Sequence, residues 1–316
     1  MDRMQLLSKV KRILEKSGFE LSELCSFKNV GFDLIARRGR ELLIVKVLVN
    51  VDAFSDSVAN DLKALASLLR ASLLLIGERE GSKPLENDVI YFRNGVQTVN
   101  VKTLENYLLE NVPPQVYAAP GGFYVNLDGE KIRKYREKKK LSRGDLARML
   151  HVSRKTIRLY EEGMSARVEV AALLGEILHP SVISSFDLLK PVAPFKGHRK
   201  ISETRWLYTF QKEILSLIER LGYKVIPIHR CPFEAISKES KNILLTVAQK
   251  YSVSLREKAR MVRSIAEIAE KHAVIFIDKC VDGKRNIEGM PMIEKRELRQ
   301  MKDPSEVMEL VIEREG

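Results

Sequence analysis

The stretch LSRGDLARMLHVSRKTIRLYEEG, residues 141–163, decides the central part of the fold. Ser142 is followed three residues later by Asp145, and this capping-box spacing predicts that a short helix begins here. The apolar residues that follow recur at helical intervals and would form one buried stripe, consisting of Leu146, Ala147 and Leu150.

A second helix is predicted directly afterwards, over residues 154–161, with Ser153 as its candidate N-cap. Ile157 and Tyr160 are three positions apart and would face the same core. Three basic residues lie together on another face of this helix: Arg154, Lys155 and Arg158. Two short helices joined by a turn, the second with a cationic face, make a helix-turn-helix of the kind that enters the DNA major groove.

The positive charge of the chain is concentrated around these helices. The 316 residues have a net charge of +12, and between Gly129 and Gly163 twelve Lys and Arg residues stand against five Asp and Glu residues. Such a concentration indicates a polyanionic partner, and beside a helix-turn-helix we expect double-stranded DNA. Lys138, Lys139 and Lys140 are candidates for phosphate contacts, with plain solvation as the alternative.

Residues 129–178 resemble a Cro/cI-type helix-turn-helix domain, an all-α fold. The wording DGEKIRKYREKKKLSRGDLARMLHVSRKTIRLYEEG, in the middle of a chain of this length, is similar to that of the helix-turn-helix transcriptional regulators of archaea. The resemblance implies that Arg143 contacts phosphate. It implies that the second helix reads bases and backbone through Arg154, Lys155, Thr156 and Arg158, in a homodimer that spans two half-sites.

Two residues depart from the Cro/cI pattern. His151 stands where the turn commonly has a glycine, and a positive φ there would cost ~1 kcal/mol. Gly144 replaces a strong helix former at a cost of up to ~1 kcal/mol. Neither change is expected to disrupt the motif or DNA binding, and the exact geometry of the turn is left open.

Prolines and glycines divide the chain into three predicted domains, 1–112, 113–195 and 200–316. NVPPQVYAAPGGF (111–123) is typical of a linker or edge segment, and LLKPVAPFKGHRK (188–200) of a second linker. The expected fold class is multidomain, with an all-α helix-turn-helix domain between two α/β domains.

The two outer domains resemble each other. Each is predicted to begin with an amphipathic helix that a glycine stops, Gly18 in the first and Gly222 in the second. GFDLIARRGRELLIVKV (31–47) then aligns without a gap with PFEAISKESKNILLTVA (232–248). The shared order of elements indicates a duplication and predicts mixed sheets with helices on their faces. The alternative is that any unit with this order of elements looks alike.

The outer domains also resemble, more loosely, the fold of restriction endonucleases and archaeal Holliday-junction resolvases. That resemblance implies two acids on a hairpin that hold a divalent metal, and a lysine that assists catalysis. Asp33 and Lys46 fit this pattern, but Ile44 stands where the second acid belongs. A branched alkyl group cannot ligate magnesium.

The second copy is further from catalysis. Glu234 remains, while Leu245 and Val247 replace the second acid and the lysine. Rescue by an acid from elsewhere, such as Glu20 or Glu23, is the alternative. We interpret both domains as platforms for dimerisation, auxiliary DNA contact or effector binding, with no catalytic residue and no metal.

Other function classes have no support in the sequence. The three cysteines and five histidines lack metal-ligand spacing, and GxGxxG, GxxxxGK[ST] and GxSxG do not occur. No apolar run approaches the ~20 residues of a membrane span. We expect a cytoplasmic protein without a cofactor or membrane association, and no particular effector is indicated.

The predicted function is that of a sequence-specific DNA-binding transcription factor that is not an enzyme. One alternative is a metal-dependent DNA nuclease or junction-processing enzyme that the helix-turn-helix targets. A third is a structural chromosome-binding protein without sequence preference.

Overall fold

The computed structural model describes residues 2–25, 27, 29–194, 200–280 and 283–315. The chain forms two compact units. The first comprises residues up to 13, 48–53 and 75–188, and the second comprises residues 14–47, 54–74 and those from 189 on. In the predicted linker 188–200, residues 188–194 form neither helix nor strand, and residues 195–199 lie outside the described residues.

The α-helices of the described ranges are α1 (Arg3–Lys16), α2 (Asp56–Leu69), α3 (Val101–Leu109), α4 (Gly129–Lys138), α5 (Arg143–Met149), α6 (Arg154–Glu161), α7 (Val168–Ile177), α8 (Thr209–Arg220), α9 (Leu255–Ala269), α10 (Lys295–Gln300) and α11 (Pro304–Arg314). The strands are β1 (Glu20–Leu21), β2 (Leu34–Arg38), β3 (Glu41–Asn50), β4 (Ser72–Glu80), β5 (Lys83–Pro84), β6 (Val89–Arg93), β7 (Val96–Val99), β8 (Val116–Ala119), β9 (Gly122–Leu127), β10 (Ala166–Arg167), β11 (Ile183–Ser184), β12 (Lys224–Pro227), β13 (Ala235–Glu239), β14 (Asn242–Ala248), β15 (His272–Ile277), β16 (Asn286–Ile287) and β17 (Met290–Glu294). Over the described residues, none of these helices has both the length and the apolar character that a bilayer crossing needs.

The second unit contains a mixed sheet with the strand order β12-β13-β14-β15-β17-β16. Strands β12, β13 and β14 are antiparallel neighbours, whereas β15 runs parallel to both β14 and β17. Helices α8 and α11 bury apolar side chains in the same core as this sheet, among them Ile214 and Val311. This confirms the predicted combination of a mixed sheet and packed helices in the C-terminal part of the chain.

The two predicted hairpins form with the same register. Ala36 of β2 pairs with Leu43 of β3, and Ser237 of β13 pairs with Leu244 of β14. Each residue of the second hairpin therefore lies 201 positions after its counterpart in the first. The shared register supports the predicted duplication, because a one-residue slip would move the apolar side chains to the opposite face.

The helix-turn-helix lies in the first unit together with strands, so the expectation of an all-α domain is wrong. Strands β8 and β9 form an antiparallel hairpin, and β9 also pairs with β10 and β11. Val125 and Leu127 alternate along β9 and are buried in the core of the helix-turn-helix. Gly121 and Gly122 have φ values of +94° and +137°, which let the chain turn. Much of segment 111–123 is therefore sheet and not linker.

Candidate nucleic-acid interface

Both helices of the helix-turn-helix begin at the predicted caps. Ser142 Oγ accepts a hydrogen bond from Asp145 N at 3.1 Å, and Asp145 Oδ2 accepts one from Ser142 N at 2.8 Å, which completes the capping box of α5. Ser153 Oγ accepts a hydrogen bond from Thr156 N at 3.0 Å and caps α6. The bounds of α6, Arg154–Glu161, coincide with the predicted helix. Local sequence therefore determines where each helix starts.

Helix α6 has a buried face and a cationic face, as predicted. Ile157 and Tyr160 are buried in the core that α4, α5 and α7 also line. The predicted base-facing side chains on the other face are exposed, namely Arg154, Lys155 and Arg158. The structure thus brings these three cations together on one accessible helix surface.

Two polar contacts modify this surface. Arg158 Nε lies 3.5 Å from Glu162 Oε1, and both side chains are more than half exposed, so solvent screens the pair. Thr156 is half-buried, and its Oγ1 lies 2.9 Å from Ser153 Oγ. Thr156 therefore contributes to the N-terminal cap of α6 in addition to its predicted place in the interface.

The turn between α5 and α6 contains a non-glycine residue in the left-handed region. His151 has a φ of +53°. The replacement of glycine by histidine therefore does occur at a position of positive φ, where a strain of ~1 kcal/mol is expected. Ser153 and the capping box of Ser142 lie on either side of this turn.

A buried ion-pair cluster lies at the end of α6, and sequence reasoning missed it. The Glu161 side chain is 0% exposed. Arg136 Nε donates a hydrogen bond to Glu161 Oε1 at 2.6 Å, and Arg143 Nε donates one to Oε2 at 2.8 Å. Burial opposes ionisation of Glu161, but the hydrogen bonds from Arg143 and Arg136 outweigh it and lower its pKa. The cluster joins α4, α5 and α6 through one carboxylate.

Arg143, for which a phosphate contact is predicted, takes part in this cluster. The resemblance implied a phosphate contact, whereas the structure directs the Arg143 guanidinium to Glu161, and the hydrogen bond to Glu161 raises the pKa of Arg143. The side chain is still about one-third exposed. The signal in the sequence was a pair of acids, of which Glu161 comes directly after the inward-facing Tyr160. Its partners lie 18 and 25 positions earlier on two other helices, so the periodicity within one helix could not have revealed the pairing.

The lysine run at the end of α4 is exposed, and its three members differ in their surroundings. Lys138 is the last residue of α4. Lys139 Nζ donates a hydrogen bond to the carbonyl oxygen of Ile177, the last residue of α7, at 2.5 Å. Lys140 adopts a φ of +55°. Lys139 thus interacts favourably with the C-terminus of α7. Lys138 is exposed and is the member of the run that we favour for a phosphate contact.

The acid of the first hairpin, Asp33, accepts a hydrogen bond from the backbone. Asp33 is buried, its Oδ2 accepts a hydrogen bond from Val47 N at 2.6 Å, and Lys46 Nζ lies 3.5 Å from its Oδ1. Ile44, at the position of the missing second acid, is fully buried. Burial, reinforced by the charge of Asp33, raises the pKa of the neighbouring Cys25 thiol to about 12, so this thiol is neutral at physiological pH.

The acid of the second hairpin makes the equivalent bond. Glu234 Oε2 accepts a hydrogen bond from Ala248 N at 2.8 Å, again 201 positions after its counterpart. Lys258 Nζ, on α9, lies 2.7 Å from Glu234 Oε1. Val247 occupies the position of Lys46, so a lysine from a different element restores the acid–lysine pair.

The acid–lysine pairs Asp33–Lys46 and Glu234–Lys258, which we call the first and second remnant sites, do not suit a magnesium ion. Each offers one carboxylate whose oxygens already accept hydrogen bonds from a backbone N–H and a lysine, whereas magnesium requires several hard oxygen ligands. Glu20 and Glu23, the alternative acids, are exposed. Within the ranges that the structure describes, no three His, Cys, Asp or Glu side chains come together as metal ligands. No reaction step through a metal follows from this geometry.

Comparisons with known proteins match both the helix-turn-helix and the N-terminal endonuclease-like segment. Residues 3–114 match the model of the PD-(D/E)XK superfamily domain, and residues 132–185 match the helix-turn-helix model. A protein of Methanocella arvoryzae named "Putative HTH-type transcriptional regulatory protein" is 36% identical over 100% of this chain and 98% of its own length. Similarly named proteins of Methanosarcina barkeri and Methanococcoides burtonii are each 35% identical, over 99% and 98% of this chain and 98% and 96% of their own lengths.

The chain belongs to this archaeal family of HTH-type transcriptional regulatory proteins. No solved structure matches the chain. Membership confirms the resemblance that the helix-turn-helix sequence carried, and the PD-(D/E)XK match confirms an endonuclease-like domain at the N-terminus. DNA binding and transcription regulation are therefore the family's functional context.

Proposed function

We propose that the chain is a sequence-specific regulator of transcription in which α6 enters the DNA major groove as the recognition helix. The observation that carries this proposal is the exposed cationic face of α6, formed by Arg154, Lys155 and Arg158 opposite the buried Ile157 and Tyr160. Arginine and lysine on an inserted helix can donate to guanine in the groove and to phosphates at its edge.

The ion-pair cluster supports this role. A recognition helix must hold its register while its side chains read base edges, and Glu161 fixes the end of α6 to Arg136 and Arg143. The N-terminal end is fixed by the Ser153 cap. Both ends of the proposed recognition helix are thus held by side chains outside its exposed cationic face.

The regulator is proposed to act as a homodimer on two half-sites about one or more helical turns apart, in the cytoplasm where it meets the chromosome. The PD-(D/E)XK domain is proposed to serve as a structural platform without nuclease activity. The commitment of Asp33 to Val47 N and Lys46 supports this reading, because the carboxylate is not arranged as one of several metal ligands.

Selection of binding sites from a pool of random double-stranded DNA tests the proposal. We expect enrichment of one motif, with two copies in fixed spacing. Enrichment of no motif, with tight binding to all sequences, would contradict sequence-specific regulation and favour a chromosome-binding protein.

A cleavage assay separates the remaining alternative. Linear and branched DNA are incubated with the protein and magnesium or manganese, and we expect both substrates to stay intact. Cleavage that Asp33→Ala and Lys46→Ala both abolish would establish the nuclease instead.

A further inference from the structure

The second remnant site opens into a cavity of about 680 Å³, and this cavity lies wholly within residues 208–258. Its floor is the hydrogen-bonded cluster around Glu234, which Gln211 Nε2 joins at 3.1 Å and Lys258 Nζ at 2.7 Å. The volume is that of a pocket for one small molecule. The cavity plays no part in the proposed DNA contacts, and its lining indicates a ligand of its own.

The second hairpin opens where the first continues as a strand. Strand β3 extends to Asn50, whereas β14 ends at Ala248, although the two strands share the same register. Gln249 N still donates a hydrogen bond to Phe276 O of β15 at 3.1 Å, after which the chain leaves the sheet, and Gln249, Lys250 and Tyr251 line the cavity. Their counterparts 201 positions earlier are Leu48, Val49 and Asn50. The polar lining thus belongs to one copy of the repeat and is not a general property of the hairpin.

The lining favours an anion. It contains two lysines, Lys250 and Lys258, and one carboxylate, Glu234. Because Lys258 and Glu234 compensate each other at 2.7 Å, the positive charge that remains is that of the exposed Lys250. Ser252 adds a hydroxyl group that can donate to an anionic oxygen.

The lining also favours a planar ring. Tyr208 and Tyr251 both line the cavity, and they are 78% and 52% exposed. Phe210 is half-buried in the same wall. Aromatic side chains around a small cavity provide faces for stacking, and a ligand would cover apolar surface that is otherwise in contact with water.

We propose that this cavity, defined by Tyr208, Gln211, Glu234, Lys250, Tyr251 and Lys258, binds a small planar aromatic ligand with an anionic group. Nucleotides and aromatic carboxylates share this chemistry. The ring lies against the tyrosines, and the anionic group lies near Lys250 and Ser252. This binding does not depend on the proposed DNA contacts, so it is measured on the protein without DNA.

Isothermal titration calorimetry of the full chain tests the proposal with four probes: AMP, adenosine, inorganic phosphate and indole-3-carboxylate. We expect AMP or indole-3-carboxylate to bind, and the probe that binds identifies the source of the ligand. Adenosine and phosphate each lack half of the required chemistry and should bind at least tenfold more weakly than the best anionic aromatic probe. If neither AMP nor indole-3-carboxylate binds at millimolar concentration, the proposal is wrong.

Three variants locate the binding site. Tyr251→Ala and Lys250→Ala change exposed side chains and should each weaken binding at least fivefold while thermal unfolding stays unchanged. Lys241→Ala, an exposed lysine at the β13–β14 turn outside the cavity lining, is the matched control and should bind as the unchanged protein does. Equal affinity in all three variants would place the ligand elsewhere and overturn the assignment.

Discussion

Arg136 Nε donates a 2.6 Å hydrogen bond to Glu161 Oε1 and so ties the last residue of α6 to α4 across 25 positions of the chain. The carboxylate is inaccessible to solvent, and the arginine side chain is only 10% exposed. An ion pair of this kind is sensitive to the removal of either partner, because the remaining charge stays buried without compensation. The placement of the proposed recognition helix therefore depends on an interaction behind its DNA-facing surface.

Replacement of the buried acid should loosen the helix-turn-helix. Glu161→Gln leaves Arg136 buried beside a neutral group, and we expect a decrease of about 3 kcal/mol in the free energy of unfolding of this region. Amide hydrogen exchange across α4, α5 and α6 measures the decrease locally. Glu162→Gln is the matched control, since its exposed pair with Arg158 should contribute less than about 0.5 kcal/mol. Equal protection in the two variants would contradict a stabilising role for the buried cluster.

The same carboxylate predicts a dependence on pH. Its pKa in the folded protein lies below the ordinary value of 4.5, so its contribution is complete above that value and is lost as the pH falls through the folded-state pKa. The stability difference between the unchanged protein and Glu161→Gln should therefore be constant near neutral pH and shrink under acid conditions. Melting temperatures from pH 7 to pH 3 check this, and a difference that grows on acidification would refute it.

Substitutions on α6 and at the end of α4 should have different effects on binding specificity and on overall DNA affinity. Arg154→Ala or Arg158→Ala should reduce discrimination between the selected motif and its single-base variants. The expected loss is ~1–3 kcal/mol for each good contact between side chain and base that the substitution removes. Lys138→Ala should instead weaken binding to all sequences and flatten the dependence of affinity on salt. Fluorescence anisotropy at several salt concentrations distinguishes the two patterns. Unchanged base discrimination in both arginine variants would show that α6 is not the recognition helix.

The buried acid of the first hairpin should matter for stability. Asp33→Ala removes the acceptor of the Val47 N–H, and an unsatisfied buried donor costs about 1–3 kcal/mol. Asp33→Asn keeps an oxygen at this position and should destabilise the protein less, although it removes the charge that faces Lys46. Urea unfolding of both variants measures the difference. If Asp33→Ala were as stable as the unchanged protein, the acid would have no structural role.

The first helix of each outer segment could be predicted from the sequence because helix signals are local. Apolar residues recur every three or four positions in α1 and α8, and the glycines that follow, Gly18 and Gly222, adopt φ values of +84° and +110°. The shared register of the two hairpins also followed from an ungapped alignment, since strand pairing keeps alternate side chains on one face.

The sequence by itself also determined the caps and the amphipathic faces of α5 and α6, because these involve partners three or four residues apart. Only the tertiary structure decided that Arg143 and Arg136 share Glu161, that Val125 and Leu127 make β9 part of the helix-turn-helix core, and that Lys258 replaces the lysine missing from β14. These partners are separated by many residues and belong to different elements. Their meeting depends on how the elements pack, and neither helical nor strand periodicity contains that information.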